Sequence, residues 1–255
     1  MKKPRTGVVI LAAGKGTRMA HDLPKVLVPV GGVPMILRAL AAVERASFGT
    51  KPVVVVGDRK NLVIKTEGSR ARFAVQRRML GTGHAVMVAV PLLKGKVDEV
   101  LVVYGDNPLS SSQTLRNLVR LRHRTRATMS LITVTVPNFI GPRRVFLHYG
   151  HIVRDRNGQF LERCIEYKDA TRRERAIHEV NSGFYCFEAK WLWSNLGKLQ
   201  PNNVKGEYYL TDLLGLAVLQ GRKVAPYALK NWRQGIGANC LADVRIADQL
   251  AKSKR

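Results

Sequence analysis

The sequence predicts an α/β fold built on a doubly wound sheet. Two observations carry that prediction. Short runs rich in Val, Ile and Leu recur through the first half of the chain, each of a length that suits a strand buried on both faces. Helix-patterned stretches separate them, and this alternation is what parallel strands joined by crossover helices produce. The first strand is expected at 7–13, the next at 52–57, then 72–75 and 99–104. Helices are expected at 35–46, 82–93 and 111–122. Pro34 suits a first helical turn, where its missing N–H is no loss. Ser110 or Ser111 can cap the third helix.

From about residue 127 the pattern changes. Strands are expected at 127–136, 145–154, 158–166 and 179–188, with Asn157-Gly158 as a turn. Helices are expected at 189–196, 207–221 and 238–252. No internal repeat and no linker is evident. The chain reads as one compact unit with halves at about 1–126 and 127–230, followed by a loop and helix at 231–255.

Composition excludes several classes. At 255 residues, 45% hydrophobic and 24% charged, the chain is globular and long enough to bury a sizeable core. Cys164, Cys186 and Cys240 are far apart and form no CxxC pair, so neither a disulfide framework nor a cysteine zinc site is expected. That usage suits a reducing cytoplasm. No apolar run approaches the roughly 18 residues of a membrane span, so no membrane insertion is expected. The basic and apolar start, Lys2 to Ala13, reads as a buried strand rather than a signal peptide, because Lys15 and Arg18 follow at once.

The unusual quantity is charge. Forty-three Lys and Arg against eighteen Asp and Glu give +25. Such a surface attracts polyanions. The charge is spread along the chain, with local clusters at 70–78, 116–126 and 172–175; Arg116, Arg120 and Arg124 share one helix face. Aromatic residues do not interleave with these clusters, so nucleic-acid binding is the weaker reading.

Ligands on doubly wound sheets bind beyond the carboxyl ends of the strands. Two segments fall there. One is Leu11-Ala12-Ala13-Gly14-Lys15-Gly16-Thr17-Arg18, followed by Pro24-Lys25. Its glycines permit a tight turn, its backbone N–H groups can form an anion-binding nest, and Lys15, Arg18 and Lys25 add three cations. It matches neither GxxxxGK[ST] nor GxGxxG. The other is Gly105-Asp106-Asn107-Pro108.

These motifs, taken together, resemble the sugar-phosphate nucleotidyltransferases. Gln76 precedes Gly81-Thr82-Gly83-His84-Ala85, and Tyr104-Gly105-Asp106 precedes Pro108-Leu109. Tyr149-Gly150, Glu166-Tyr167-Lys168-Asp169-Ala170, Asn181-Ser182-Gly183 and Gly206-Glu207-Tyr208-Tyr209-Leu210-Thr211-Asp212 follow in the family's order. The nearest likeness is to the uridyltransferase domain of bifunctional bacterial enzymes that make UDP-N-acetylglucosamine, a cell-envelope precursor. The resemblance implies a Rossmann-like mixed sheet, with a nucleotide-binding first half and a sugar-binding second half. The implied substrates are UTP and N-acetylglucosamine 1-phosphate. Glucose 1-phosphate with UTP or dTTP is the alternative acceptor and donor set, and a catalytically weak nucleotide- or RNA-binding protein is the alternative from another class.

The resemblance also implies roles. Leu11 to Thr17 would hold the nucleotide, and Lys15, Arg18 and Lys25 would grip its phosphates. Arg18, Lys25 and Asp106 would be the catalytic set, with Asp106 a Mg²⁺ ligand. Gln76, Gly81 and Thr82 would read uracil. Gly150, Glu166 and Asn181 would line the sugar site, with Tyr104 and Thr211 at the same pocket.

Three departures stand out. Where the family carries Gly-Val-Asn, this chain has Gly235-Ile236-Gly237-Ala238-Asn239. Without a gap the second metal ligand falls on Gly237, which has no side chain; Asn239 could replace it if the loop is two residues longer. The connection 137–148 is longer than the family's and carries Arg143 and Arg144. The hexapeptide repeats of a β-helical acetyltransferase half are missing, so no β-helix domain and no acetyltransferase activity are expected. The oligomeric state stays open.

Overall fold

A computed structural model describes residues 4–14, 16, 19 and 23–253. Eleven strands and seven α-helices alternate through most of these residues. Strand β1 (Thr6–Ala12) leads to a two-strand hairpin, β2 (Pro29–Val30) and β3 (Val33–Pro34), and then to helix α1 (Met35–Ala46). The first half continues with β4 (Val53–Val56), α2 (Lys60–Glu67), β5 (Arg72–Val75), α3 (Thr82–Leu93), β6 (Glu99–Tyr104) and α4 (Ser112–Thr125). The second half holds β7 (Met129–Thr135), β8 (His151–Arg154), β9 (Leu161–Ile165), β10 (Glu179–Glu188), α5 (Ala189–Asn195), α6 (Asp212–Leu219) and β11 (Val224–Ala228). Helix α7 (Leu241–Lys252) closes the chain.

The main sheet runs β11-β7-β10-β6-β1-β4-β5. Its left part is parallel: β4 and β6 flank β1, and β5 follows β4. Strand β10 is antiparallel to both β6 and β7, which makes the sheet mixed. Strands β8 and β9 hang from β10 as a side ladder. Alternation along β1 explains the layering. Val9 and Leu11 face a core completed by α3, α5 and α6, while Val8 and Ile10 face one completed by α1, α2 and α4. A third core lies at one end of the sheet, where Val134, Phe146, Val180 and Ile236 meet Val244 and Ala247 of α7. Residues of the 231–255 segment therefore pack onto the same body.

Several expected elements end elsewhere. The strand expected over 145–154 starts only at His151, because Val145 and Phe146 belong to a 3-10 segment, Gly141–His148, with Pro142 in its first turn. The helix expected from Glu207 starts at Asp212. The residues before it are held extended: Tyr208 donates to Leu80 O and accepts from Gly83 N, both at 2.8 Å. Pro34 is not in the first turn; it sits before α1 with ψ 137°, paired with Pro29. The terminal helix begins three residues later than 238. Strand β11, helix α2 and the hairpin were not anticipated. β11 contains Pro226, which an edge strand tolerates and a central one does not. The hairpin turns on Gly31 and Gly32, both with positive φ. Ser111 does cap α4, accepting from Thr114 N at 3.1 Å.

The basic cluster on α4 is partly structural. Arg122 and His123 both bond the fully buried Glu99, and Thr6 donates to its other oxygen at 2.6 Å. A buried carboxylate is tolerated only when paired and hydrogen-bonded in this way. Among the described residues no helix is long and apolar enough to cross a membrane.

Candidate active site

The order of strands reverses at β1, whose neighbours lead away on both sides. A crevice must open beyond the carboxyl ends of β1 and β6. A cleft of about 570 Å³ lies there. Leu11, Ala12, Ala13, Gly14 and Gly16 form one wall, and Asp106 follows directly from β6. Lys25, Gln76, Gly81, Thr82, Tyr104, Gly150, Glu166, Asn181, Thr211 and Asn239 complete the lining among the predicted residues. Every predicted site residue that the structure describes thus meets in one cleft. Lys15, Thr17 and Arg18 lie outside the described residues.

At the centre, the Lys25 ammonium contacts Asp106 Oδ2 and lies 3.1 Å from Asn239 Oδ1. Three distant segments therefore converge on one point. Lys25 stands on a 3-10 turn begun by Pro24. Asp106 is fixed because its carbonyl accepts from Ala238 N at 2.9 Å, which pins the C-terminal loop beside it. That loop places Gly237 and Asn239 differently. Gly237 is turned to Tyr149, with its N–H and carbonyl both on the Tyr149 hydroxyl. A Cβ at 237 would meet Asn107 Oδ1 at 3.0 Å and Tyr149 Oη at 3.1 Å. Asn239 is the residue of the pair whose side chain reaches Lys25.

At one end, Gln76 is buried and oriented. Its Nε2 donates to Gly81 O and meets His84 Nδ1, each at 3.0 Å. A carbonyl can only accept, so the amide nitrogen is assigned to that side, and Oε1 has no donor among the described residues. Burial first, and the nearby Arg78 second, lower the proton affinity of His84 and favour the neutral ring this contact needs. The 80–83 loop is stitched to the second half by the Tyr208 bonds and by Leu210 N donating to Thr82 Oγ1 at 3.0 Å.

At the other end, Glu166 is half-buried, burial raises its pKa, and the Thr211 hydroxyl donates to it at 3.2 Å. Burial likewise pushes the Tyr104 phenol up. Asn181 is held through Gly183 N on its Oδ1 at 3.0 Å, with its Nδ2 on the Tyr185 hydroxyl and Cys164 Sγ. Gly150 accepts from Asn181 N at 2.8 Å; a Cβ there would sit 2.6 Å from Cys164 Sγ. The sulfur can lie this close to the backbone only because residue 150 is glycine; Glu166 Oε1, at 3.5 Å from such a Cβ, would not be crowded.

Sequence reasoning assigned no role to several lining residues: Met79, Asn107, His148, Tyr149, Ser182, Lys205, Glu207 and Tyr209. Tyr149, Glu207 and Tyr209 lay inside quoted motifs, which was the available signal. His148 and Lys205 gave none.

The MobA-like NTP transferase domain family matches residues 8–177. The bifunctional protein GlmU of Enterococcus faecalis is 40% identical over 242 residues, 95% of this chain and 51% of that protein. GlmU of Streptococcus thermophilus is 36% identical over 249 residues, 96% and 52%. The chain spans about half the length of the curated relatives it matches. Among solved structures, a putative glucose-1-phosphate thymidylyltransferase from Bacillus anthracis superposes with a TM-score of 0.78 at 21% identity, covering 97% of this chain and 95% of that one. A UDP-glucose pyrophosphorylase in complex with UDP-glucose gives 0.75 at 18% identity, covering 98% and 99%. Both share the fold and its mixed sheet.

Proposed function

The chain belongs to the MobA-like NTP transferase domains, and on that premise we propose that it is a uridylyltransferase joining UTP to N-acetylglucosamine 1-phosphate. A phosphate oxygen of the sugar phosphate attacks the α-phosphorus of UTP. The bond to the β,γ-diphosphate breaks, giving UDP-N-acetylglucosamine and pyrophosphate. The nucleophile is already an anion, so no general base is needed. What the site must supply is alignment of two anions and relief of their repulsion.

The observation that carries this reading is the meeting of Lys25, Asp106 and Asn239 where β1 and β6 end. Lys25 would sit against the reacting phosphates, with Lys15 and Arg18 gripping the departing pyrophosphate. Asp106 and Asn239 offer hard oxygen donors. That set fits Mg²⁺, which takes one or two protein ligands and fills its remaining positions with water and phosphate oxygens. Bound there, Mg²⁺ would withdraw charge from the phosphate oxygens.

The orientation of Gln76 supports the base. Its Oε1 can accept from the N3–H that uracil and thymine carry and cytosine lacks. Glu166 and Asn181, with the backbone of Gly150, suit sugar hydroxyls and an N-acetyl group. Because thymine presents the same edge, dTTP with glucose 1-phosphate is the second reading. The test is pyrophosphate release from UTP, dTTP and CTP, each with N-acetylglucosamine 1-phosphate and with glucose 1-phosphate. Release with UTP and the N-acetylated sugar is expected. Preference for dTTP or glucose 1-phosphate would move the specificity, and no release from protein that still binds UTP would overturn the enzyme assignment.

A further inference from the structure

The basic cluster at 70–78 has no part in the proposed reaction, and the fold divides it. Arg70 is spent on Glu44, through bonds of 2.8 and 2.6 Å. Arg72 donates to the Leu92 carbonyl at 3.1 Å. Arg77 and Arg78 are exposed and form no ion pair with the described residues. They line a shallow groove of about 650 Å³ together with Arg59 and Lys60 at the start of α2. Asp58 is the one carboxylate in its lining, and Asp58 Oδ1 already accepts the Arg59 amide at 3.0 Å. No side chain caps α2, whose first turn forms part of the wall. Gln76 and Met79 line this groove and the catalytic cleft alike, so the two are neighbours through one wall.

We propose that this groove is a second anion site, which binds a multiply charged phosphate group such as a di- or triphosphate. The argument is charge balance in a concave place. Lys60, Arg77 and Arg78, which form no ion pair with the described residues, set three positive charges against the one carboxylate of Asp58, and like charges so placed repel one another. A singly charged ion would leave most of that repulsion in place. A di- or triphosphate brings enough charge to offset it, and guanidinium groups take phosphate oxygens in bidentate fashion. The uncapped N–H groups of α2 add donors of the same sense.

The probe is inorganic tripolyphosphate, titrated calorimetrically in metal-free, low-salt buffer. Three proteins are compared: the wild type, Lys25→Ala, and the triple variant Lys60→Gln/Arg77→Gln/Arg78→Gln. The Lys25→Ala protein is expected to retain a binding site. The triple variant is expected to lose that site, with affinity down about tenfold or more, and added salt should weaken it in the wild type because the groups are exposed. Thermal melting and circular dichroism show that the triple variant is folded. Equal binding by the triple variant and the wild type, or loss of all binding in Lys25→Ala, would overturn the proposal. None of these readouts depends on which sugar nucleotide the cleft makes.

Discussion

The two ends of the cleft handle charge in opposite ways. At the nucleotide end, the acid and the base touch: Lys25 bonds Asp106, and an amide oxygen stands beside them. At the acceptor end, Glu166 has no ion pair among the described residues, only the Thr211 hydroxyl, and desolvation raises its pKa. Asp212, close by, is pushed up to about 6, by burial first and then by Asp169. The difference follows from construction. The nucleotide end is made by parallel strand ends and loops, where side chains reach outward past the sheet edge. The Glu166 end is walled by the β8–β10 ladder and α6, which leave its polar groups only partly exposed. One end is suited to screening phosphates, and the other to reading neutral hydroxyls through a few well-placed groups.

The largest expected effects test the charged end. Lys25→Ala and Asp106→Asn should each lower kcat about a thousandfold, the scale of losing one electrostatic contact to a transition state. Asn239→Ala should weaken Mg²⁺ dependence by roughly 10–100-fold, with the fold intact by circular dichroism, and Gly237→Ala should leave that dependence alone. If Asn239→Ala keeps the wild-type Mg²⁺ response, the loop position assigned to it is wrong.

The next effect tests the Glu166 end. Gly150→Ala forces a Cβ to 2.6 Å from Cys164 Sγ. Overpacking of this kind costs about 1–3 kcal/mol, and the displaced ladder should raise KM for the sugar phosphate while leaving KM for UTP nearly unchanged. Cys164→Ala removes the obstructing sulfur, so the double variant should recover much of the melting temperature. Equal damage to both KM values would mean that the two ends are not separable.

The first half was read closely because its signals are local. A buried strand such as Glu99–Tyr104 carries an unbroken apolar run after its first residue, and α3 is bounded by Gly81 and Lys94. The second half was read less well because distant partners set its limits. Tyr208 looks helical until Leu80 and Gly83 take its backbone groups. Val145 and Phe146 look like strand residues, but Pro142 and the third core turn them into a 3-10 segment. The choice between Gly237 and Asn239 also lay beyond the sequence. It depends on the Tyr149 hydroxyl occupying both backbone groups of Gly237 from 88 residues away.

The last expected effect apportions pH sensitivity between the halves. Glu67, on α2, is 2% exposed, neither of its oxygens has a hydrogen-bond partner among the described residues, and burial raises its pKa from 4.5 to about 8. Its neighbours are Arg70, which opposes the shift, and Glu44, which adds to it. Between about pH 4.5 and 8 the unfolded chain releases this proton while the folded chain keeps it. The unfolded state then binds fewer protons, so stability falls as pH rises, by up to about 1.4 kcal/mol per pH unit. Glu67→Gln removes the titration and should flatten that fall in urea unfolding between pH 5 and about 8. Asp212 acts in the same direction but over a lower window, from 3.8 to about 6. A slope that survives in Glu67→Gln only below about pH 6 therefore belongs to the acceptor end. A full slope surviving up to pH 8 would show that Glu67 is already ionised in the folded protein, and that its burial is compensated by Arg70.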